Sequence, residues 1–508
     1  MNLSWHTRAL LALGSGAALA LSFPNYNLSL LAWVSVGMLV LASCGARPLT
    51  SPLYGFLHGL VFYPIGLPWI DQVMQQYGSV DPWTSAAILG LMGIAGGIVC
   101  SVFSWGVALA SRKSTALACA LAPCLWVTLE FGRTHLPIIG FPWNLTGYAA
   151  SGNLALLQLT PLTGIYGLTF VIAAYGSLLA YAILAGTQRV WKALLVVTAV
   201  LILIAAGAGY LVPKAMPDHV AHLVQTNFPQ SEHYPVDWLE LHAGEMEQLE
   251  RISIDAAQRS PGLIVWPEVP APFSLQEPQF EQRAVRIARE GQNYFLVGVV
   301  DWKPDQDKKW IASNSAVLFN TEGQRVFTYD KIHLVPFGEY VPLRNWIKFA
   351  GRLTADISDF TPGTDYRVGQ LPEGKFGTFI CYEAIFPGEV RRFTANGAEL
   401  LINISNDGWF GRSSAPAQHL MMARVRAVEN RRWLLRDTNN GFTASIDPYG
   451  RIVASLPTDV RTELDAPYAF RNDLTLYARF GDWFSWLCVL ASLALVAFAL
   501  ATKMEKGK

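Results

Sequence analysis

The stretch GTFICYEAIFP, residues 377–387, decides how the second half of this chain is interpreted. A β-branched and aromatic apolar run ends at Cys381, a carboxylate follows at Glu383, and Pro387 breaks the pattern. Such a run predicts a buried strand. Cys381 is then either a small buried hydrophobe or a nucleophile presented where the strand ends.

Composition separates the chain into two kinds of sequence. Of 508 residues, 52% are apolar and only 15% are charged, whereas soluble domains carry about 25% charged residues. The deficit lies in residues 1–212, while residues 214–475 resemble an ordinary soluble domain. The net charge is zero and there is no basic tract, so nothing favours a nucleic acid partner.

Windows of about 20 apolar residues predict a polytopic α-helical membrane domain over residues 1–212, with a further span at 482–501. The first predicted helix is short enough for a signal peptide. We interpret it as a retained span, because FPNYN follows it without a small-residue cleavage site. The seven predicted spans of the first part lie near 8–23, 28–43, 52–70, 85–110, 115–130, 162–185 and 190–212.

The distribution of lysine and arginine predicts the orientation in the membrane. With the N-terminus and C-terminus in the cytoplasm, the short outer loops hold Asp71, Asp81 and only Arg133. Residues 214–475 then lie outside the cytoplasmic membrane, on the periplasmic side of a bacterial inner membrane. The cations placed inside are Arg8, Arg47, Arg112, Lys113, Arg189, Lys192, Lys503, Lys506 and Lys508.

Residues 214–475 alternate apolar runs with segments of helical periodicity and end in hairpin patterns such as FTASID-PYGR-IVASL. This alternation predicts an α/β domain with two β-sheets covered by helices. The sequence shows no phosphate-binding glycine loop and no histidine pair with metal-ligand spacing, so we expect no cofactor and no metal.

Three stretches in this domain place a reactive group just after a predicted strand. They are LIVWPE with Glu268, YDKIHLVPFGEYVP with Lys331, and the stretch with Cys381, which is the only cysteine within 214–475. A carboxylate can take the proton of a thiol as sulfur attacks a carbonyl carbon. A lysine ammonium and the backbone N–H of Tyr382 can stabilise the resulting oxyanion. Together the three groups favour acyl transfer over a buried structural cysteine.

These motifs resemble the Glu–Lys–Cys triad of the carbon–nitrogen hydrolase (nitrilase) superfamily. With the membrane spans, and with NISNDGWFG and ENRRW, the chain is similar over its full length to the bacterial apolipoprotein N-acyltransferase family. The resemblance implies an α-β-β-α sandwich, with Glu268 as general base, Lys331 as oxyanion stabiliser and Cys381 as nucleophile. It also implies supporting roles for Glu339 and Glu383.

One departure from that pattern is visible. Where relatives often have Lys-Trp, this chain has His233-Tyr234, so no role is carried over to that position.

The resemblance further implies the reaction and its partners. A fatty acyl chain would pass from a membrane phospholipid to Cys381 as a thioester. It would then pass to the α-amine of the diacylglyceryl-modified N-terminal cysteine of an apolipoprotein, which completes lipoprotein maturation.

Two other functions remain open at the level of the sequence. A membrane-tethered amidase or nitrilase acting on a small amide would use the same triad. A transporter with an outer binding domain would need buried ionisable groups in its helices. Glu130, near the end of one predicted span, is almost the only ionisable residue within the predicted spans.

Four residues are candidates for substrate contact. Trp409 and Phe410 lie in the loop NDGWFG, and Trp346 lies in the amphipathic stretch 344–360, which is either an interfacial lid or an ordinary surface helix. Asn314 is the fourth candidate; because it precedes a predicted strand, a turn residue is the alternative interpretation.

Overall fold

The computed structural model describes residues 3–136, 140–231, 234–304, 307–341 and 360–501. The chain divides into two compact units. One comprises the residues up to Gln75, Val80–Pro213 and the chain from Phe480 onward, and the other comprises Gln76–Ser79 and Lys214–Arg479. The predicted lid, 344–360, falls almost entirely outside the described residues, as does Trp346.

In the described part of the first unit, all regular secondary structure is helical. Short 3-10 helices at Ser29–Leu31 and Thr146–Ala150 connect some of the α-helices. The α-helices up to residue 211 are α1 Trp5–Ala20, α2 Ala32–Ser43, α3 Pro52–Gly66, α4 Pro68–Tyr77, α5 Pro82–Ser111, α6 Thr115–Thr134, α7 Leu154–Leu157, α8 Thr160–Thr163, α9 Ile165–Ala185, α10 Gln188–Ala206 and α11 Ala208–Leu211.

The remaining α-helices follow residue 212. They are α12 Trp238–Leu241, α13 Ala243–Arg259, α14 Pro278–Gly291, α15 Pro387–Ala395, α16 Ala415–Asn430, α17 Leu476–Phe480 and α18 Trp483–Ala501. Helix α18 belongs to the first unit.

Five helices among the described residues are long and apolar enough to cross a membrane, namely α5, α6, α9, α10 and α18. The pair α3 and α4, bent by 50° at their junction, gives a sixth span if it is counted as one. Helices α1 and α2 match the first two predicted spans but have 16 and 12 residues. The polytopic helical character is confirmed, while the number of spans stays a prediction.

Helices α3 and α5 pack closely through small residues. A Cβ atom added to Gly59 of α3 would lie 2.5 Å from the backbone nitrogen of Gly97 in α5. A Cβ atom on Gly55 would lie 2.1 Å from the carbonyl oxygen of Cys100. In lipid the hydrophobic effect does not press helices together, so association depends on such close van der Waals contact.

Glu130, the ionisable residue noted in the sequence, is a packing element of the first unit. One carboxylate oxygen accepts hydrogen bonds from the N–H and hydroxyl of Thr146, at 2.8 and 2.7 Å, and the other accepts from the hydroxyl of Thr169 at 2.8 Å. These bonds connect α6 to the segment after it and to α9, so the buried carboxylate has its hydrogen-bonding capacity satisfied within the first unit.

The second unit contains two six-stranded mixed sheets. The first has the order β12-β1-β2-β3-β4-β5 and the second has the order β11-β10-β9-β8-β7-β6. The strands are β1 His219–Gln225, β2 Leu263–Val265, β3 Tyr294–Pro304, β4 Trp310–Phe319, β5 Arg325–Asp330, β6 Val368–Gln370, β7 Lys375–Ile380, β8 Leu400–Ser405, β9 Leu434–Thr438, β10 Ala444–Ile446, β11 Ile452–Ser455 and β12 Thr462–Tyr468.

Each sheet has a parallel centre and antiparallel edges. Strands β1, β2 and β3 pair in parallel in the first sheet, as do β7, β8 and β9 in the second. Every residue of β8, LLINIS, is buried, as expected for a strand covered on both faces. The carboxyl ends of the central strands therefore carry the loops that can hold a site.

The helices cover these sheets as predicted. In α14, Phe280, Ala284 and Ile287 recur on one face and pack into a core with residues of β2 and β3. A second core contains apolar residues from both sheets, including Leu296 and Leu401. The predicted α/β sandwich is confirmed, including the β4–β5 and β10–β11 hairpins.

The close approach of α3 and α5 yields a stability prediction. Gly59→Ala should lower the free energy of unfolding by about 1–3 kcal/mol, because the added methyl group overpacks a backbone contact. Gly90→Ala in the partner helix α5 is the control, since a Cβ atom added there meets nothing within 4 Å. Thermal unfolding of both purified variants measures the difference in stability. Equal stability of the two variants would mean that the added methyl group at position 59 does not disturb the contact between α3 and α5.

Candidate active site

Glu268 lies on the loop that follows β2, and a glycine in the neighbouring strand brings that loop close. A Cβ atom on Gly298 of β3 would lie 2.6 Å from the Cα atom of Glu268. Any larger residue at position 298 would push the loop away from the sheet. The Glu268 carboxylate is buried and reaches the end of the first sheet, where the other predicted groups converge.

Lys331 directly follows β5 and places its ammonium between two carboxylates. Its Nζ donates to Glu268 Oε1 at 2.9 Å and to Glu339 Oε1 at 3.0 Å. Lys331 is only 1% exposed, so its ammonium group is not solvated. Burial alone would lower the pKa of the Lys331 ammonium, but the two carboxylates outweigh it and hold that pKa well above its usual value.

Asn314 lies inside β4, so the prediction that it precedes its strand is wrong. The sequence pattern placed the strand start too late, because the residues before Asn314 pair with β3 as far back as Trp310. The Asn314 side-chain amide donates to Glu268 Oε1 and to Glu339 Oε1, both at 2.7 Å. Asn314 therefore joins the carboxylate cluster and is not a turn residue.

Cys381 directly follows β7 and opens a short 3-10 helix, Cys381–Ile385. Its backbone φ is +47°, which is rare for a residue other than glycine and marks a sharp change of chain direction. The side chain is buried, which is compatible with both interpretations of Cys381. The charges of Glu268 and Lys331 both act on this thiol.

The thiol is held in its neutral form. Burial raises the pKa of Cys381 far above its usual value, and the Glu268 charge raises it further, while Lys331 acts in the opposite direction. A thiol in this state attacks a carbonyl only if a base removes its proton as the bond forms. The Glu268 carboxylate is an acceptor of the required kind.

Glu383 holds the two loops of the site together. Its Oε1 accepts hydrogen bonds from the Tyr329 hydroxyl at 2.8 Å and from the N–H groups of Ile332 and His333 at 2.7 and 3.1 Å. Its Oε2 accepts from the N–H of Ile380 at 2.7 Å. Burial raises the pKa of Glu383 to about 7, against the pull of these donors.

The structure adds a polar group that the sequence analysis did not select. The N–H of Asn406, just after β8, donates to Glu268 Oε2 at 2.9 Å. Asp407 and Arg436 form a fully buried ion pair beside it, with Arg436 donating to both carboxylate oxygens. The available signal is a fourth polar segment, NDG at 406–408, directly after the apolar run LLINIS.

The other predicted residues differ in their exposure and contacts. Trp409 is 39% exposed, and the Phe410 ring packs edge-on against His419 with centroids 5.8 Å apart. Tyr382 adjoins Cys381 and is buried. The Tyr234 hydroxyl accepts a hydrogen bond from Gln230 at 3.1 Å, whereas His233 is outside the described residues.

One group of side chains has the donor types of a metal site, although no spacing in the sequence indicated it. His222, Glu463 and Asp465 have donor atoms within 4.8 Å of one another, because β1 and β12 pair antiparallel. Both ring nitrogens of His222 already lie 2.9 Å from oxygen atoms, of Asp465 and of the Ser260 backbone. The group is therefore accounted for by hydrogen bonds within the sheet edge.

Comparison with known proteins places both units in described families. A carbon-nitrogen hydrolase model matches residues 223–466, and a model of the apolipoprotein N-acyltransferase N-terminal domain matches residues 15–178. The chain is 36% identical to the apolipoprotein N-acyltransferase of Geobacter metallireducens, over 97% of this chain and 95% of the relative. It is 32% identical to that of Pseudomonas putida, over 98% of both.

Among solved structures, the chain is similar to an amidase from Nesterenkonia sp. The two are 19% identical, with a TM-score of 0.39, over 54% of this chain and 98% of the amidase.

The contacts of Glu383 yield a second prediction. Glu383→Gln should lower the free energy of unfolding by about 1–3 kcal/mol, because an amide group cannot accept all four hydrogen bonds and leaves a buried donor unsatisfied. Glu373→Gln is the control, since Glu373 is exposed and surface changes usually stay within about 0.5 kcal/mol. Chemical denaturation of both variants tests this; equal midpoints would mean that Glu383 does not fix the two loops.

Proposed function

Because the chain belongs to the apolipoprotein N-acyltransferase family, we propose that Cys381 is the residue that carries the acyl chain during lipoprotein N-acylation. The observation that supports this most directly is the buried Cys381 thiol under the combined charges of Glu268 and Lys331. These are the three groups that acyl transfer through a thioester requires: a nucleophile, a base and a cation for the oxyanion.

In the first half-reaction the acyl donor is a membrane phospholipid. Glu268 takes the thiol proton while sulfur attacks the ester carbonyl carbon. The carbonyl oxygen becomes an oxyanion that the Lys331 ammonium and the Tyr382 N–H stabilise. The carbon–oxygen bond to the glycerol then breaks, the leaving oxygen takes the proton from Glu268, and a lysophospholipid departs from the Cys381 thioester.

In the second half-reaction the acceptor is the α-amine of a diacylglyceryl-modified N-terminal cysteine. The amine nitrogen attacks the thioester carbon, and Glu268 takes a proton from that nitrogen. The carbon–sulfur bond breaks and the sulfur of Cys381 recovers the proton from Glu268. The products are an amide and the free thiol, so the enzyme returns to its starting state.

The hydrogen bonds of Glu268 suit this double use. Its Oε1 accepts from Lys331 and Asn314, while its Oε2 accepts from the Asn406 N–H. Oε1 is thus saturated by strong donors and Oε2 is the better site for a transferred proton. Glu339 acts beside it by sharing the Lys331 ammonium and by accepting the Val335 N–H at 2.8 Å, which fixes the loop after β5.

Asn314 is proposed to contact the acceptor substrate. Because its Nδ2 faces two carboxylate oxygens, the amide oxygen must be the other atom. Among the described residues that oxygen, Oδ1, is buried and has no hydrogen-bond partner. A buried acceptor next to the base is suited to receive an N–H of the incoming α-amine.

The remaining substrate contacts are proposed for apolar side chains. Trp409 and Phe410 would contact acyl chains, and Trp346 would do so from the 344–360 stretch. The lipid substrates and the positive-inside pattern support a periplasmic position for the catalytic domain. A site that opens to lipid also limits hydrolysis of the thioester, because water is kept from the carbonyl carbon.

The proposal is tested by intact mass spectrometry of the full chain after incubation with micelles of phosphatidylethanolamine and phosphatidylglycerol. The wild-type protein should gain the mass of one acyl group, located on Cys381, and Cys381→Ala should gain none. Cys488→Ala is a matched control in the membrane unit and should still be acylated. An acyl group on another residue, or release of ammonia from small amides without lipid acylation, would contradict the proposed function.

We expect substitutions of Lys331 and Asn314 to affect the rates of the two half-reactions differently. Lys331→Met should slow thioester formation by about 10²–10³-fold, because it removes an oxyanion donor from a dry site. Asn314→Leu should slow transfer from a preformed thioester to a diacylglyceryl peptide more than it slows thioester formation. Single-turnover measurements of each step separate the two, with the exposed Lys375→Met as control. An equal loss in both steps for Asn314→Leu would limit that residue to supporting the carboxylates.

A further inference from the structure

His419 is a buried residue on α16 that contacts the backbone of the nucleophile. Its Nε2 lies 3.0 Å from the carbonyl oxygen of Cys381. His419 is fully buried and Phe410 packs against its ring. The triad does not use this side chain, and a hydrogen bond to that carbonyl needs a hydrogen on Nε2.

The other nitrogen of the ring lies against the ion pair of Asp407 and Arg436. Arg436 donates to Nδ1 across 3.2 Å, and the same guanidinium nitrogen donates to the Asp407 carboxylate oxygens at 2.9 and 2.8 Å. Nδ1 also lies 3.2 Å from Asp407 Oδ1, so the hydrogen on Nε2 is assigned from the Cys381 carbonyl, which can only accept. In the neutral ring Nδ1 is then the acceptor. Burial and the Arg436 charge lower the pKa of His419, which favours this neutral form.

The geometry of the peptide bond gives this contact a consequence. The Cys381 carbonyl and the Tyr382 N–H belong to one peptide group, which is planar and trans, so they point in opposite directions. Holding the carbonyl oxygen on one side directs the N–H to the other. The φ of +47° at Cys381 is an unfavourable conformation that needs such support.

We propose that His419 is a positioning residue that orients the Tyr382 N–H toward the developing oxyanion by holding the Cys381 carbonyl. This inference rests on the proposed function, because only a carbonyl substrate on Cys381 creates an oxyanion there. Asp407 and Arg436 act behind His419 by holding its ring in place.

Two amide variants separate the nitrogens of His419. In His419→Gln the side-chain NH₂ replaces Nε2 and keeps a donor for the Cys381 carbonyl. In His419→Asn the side-chain oxygen replaces Nδ1, so the acceptor for Arg436 is kept and the donor is lost. Both bury one neutral amide, which makes them a matched pair for stability.

Two rates are measured for each variant: Cys381 acylation by phosphatidylethanolamine micelles, followed by intact mass, and Cys381 alkylation by iodoacetamide, which forms no oxyanion. His419→Asn should slow acylation by about 10–100-fold, below the about 10²–10³-fold loss of a direct donor, and should leave alkylation within about 3-fold. His419→Gln should stay within about 5-fold of wild type in both rates.

Each outcome has a defined meaning. Equal losses in both rates for His419→Asn, or unchanged acylation, would overturn the positioning role. If His419→Asn does not fold, His419→Gln decides, because a loss of more than about 30-fold in acylation with normal alkylation contradicts the proposal. Wild-type protein that forms no acyl-enzyme would refute the proposed function itself, whatever the variants do.

Discussion

The buried ammonium of Lys331 between Glu268 and Glu339 is the interaction on which the arrangement of this site depends. Removing one partner from a buried ion pair costs about 3–5 kcal/mol, because an uncompensated charge remains. Two carboxylates around one ammonium leave an excess negative charge, which Asn314 and backbone N–H groups of two loops compensate by hydrogen bonding. The loops after β2, β5 and β8 are thereby fixed relative to one another.

The excess negative charge also explains the protonation state of the Cys381 thiol. A thiolate beside Glu268 would add a second uncompensated charge, and burial acts in the same direction, so the thiol of Cys381 remains protonated at rest. A resting thiol is protected from oxidation, which proceeds through the thiolate. In the proposed mechanism, proton removal accompanies attack and requires the carbonyl substrate to be in place.

Backbone geometry contributes as much to this site as side chains do. Cys381 adopts a positive φ, and its turn is held through Glu383 on one strand end and through His419 on its carbonyl. In the proposed mechanism the nucleophile and one oxyanion donor are successive residues, so a single peptide group has to serve both. Helix α16 and the second sheet supply the residues that support this peptide group.

The sequence by itself determined the two-part construction, the alternation of strands and helices, and the positions of Glu268, Lys331 and Cys381 after strands. These features depend on local composition and periodicity, which apolar burial enforces along the chain. Only the tertiary structure decided the contacts of Asn314 and His419. Asn314 contacts Glu268, which is 46 residues away in the sequence, and His419 contacts Cys381, which is 38 residues away. Sheet pairing and helix packing create those contacts, and no local pattern in the sequence encodes them.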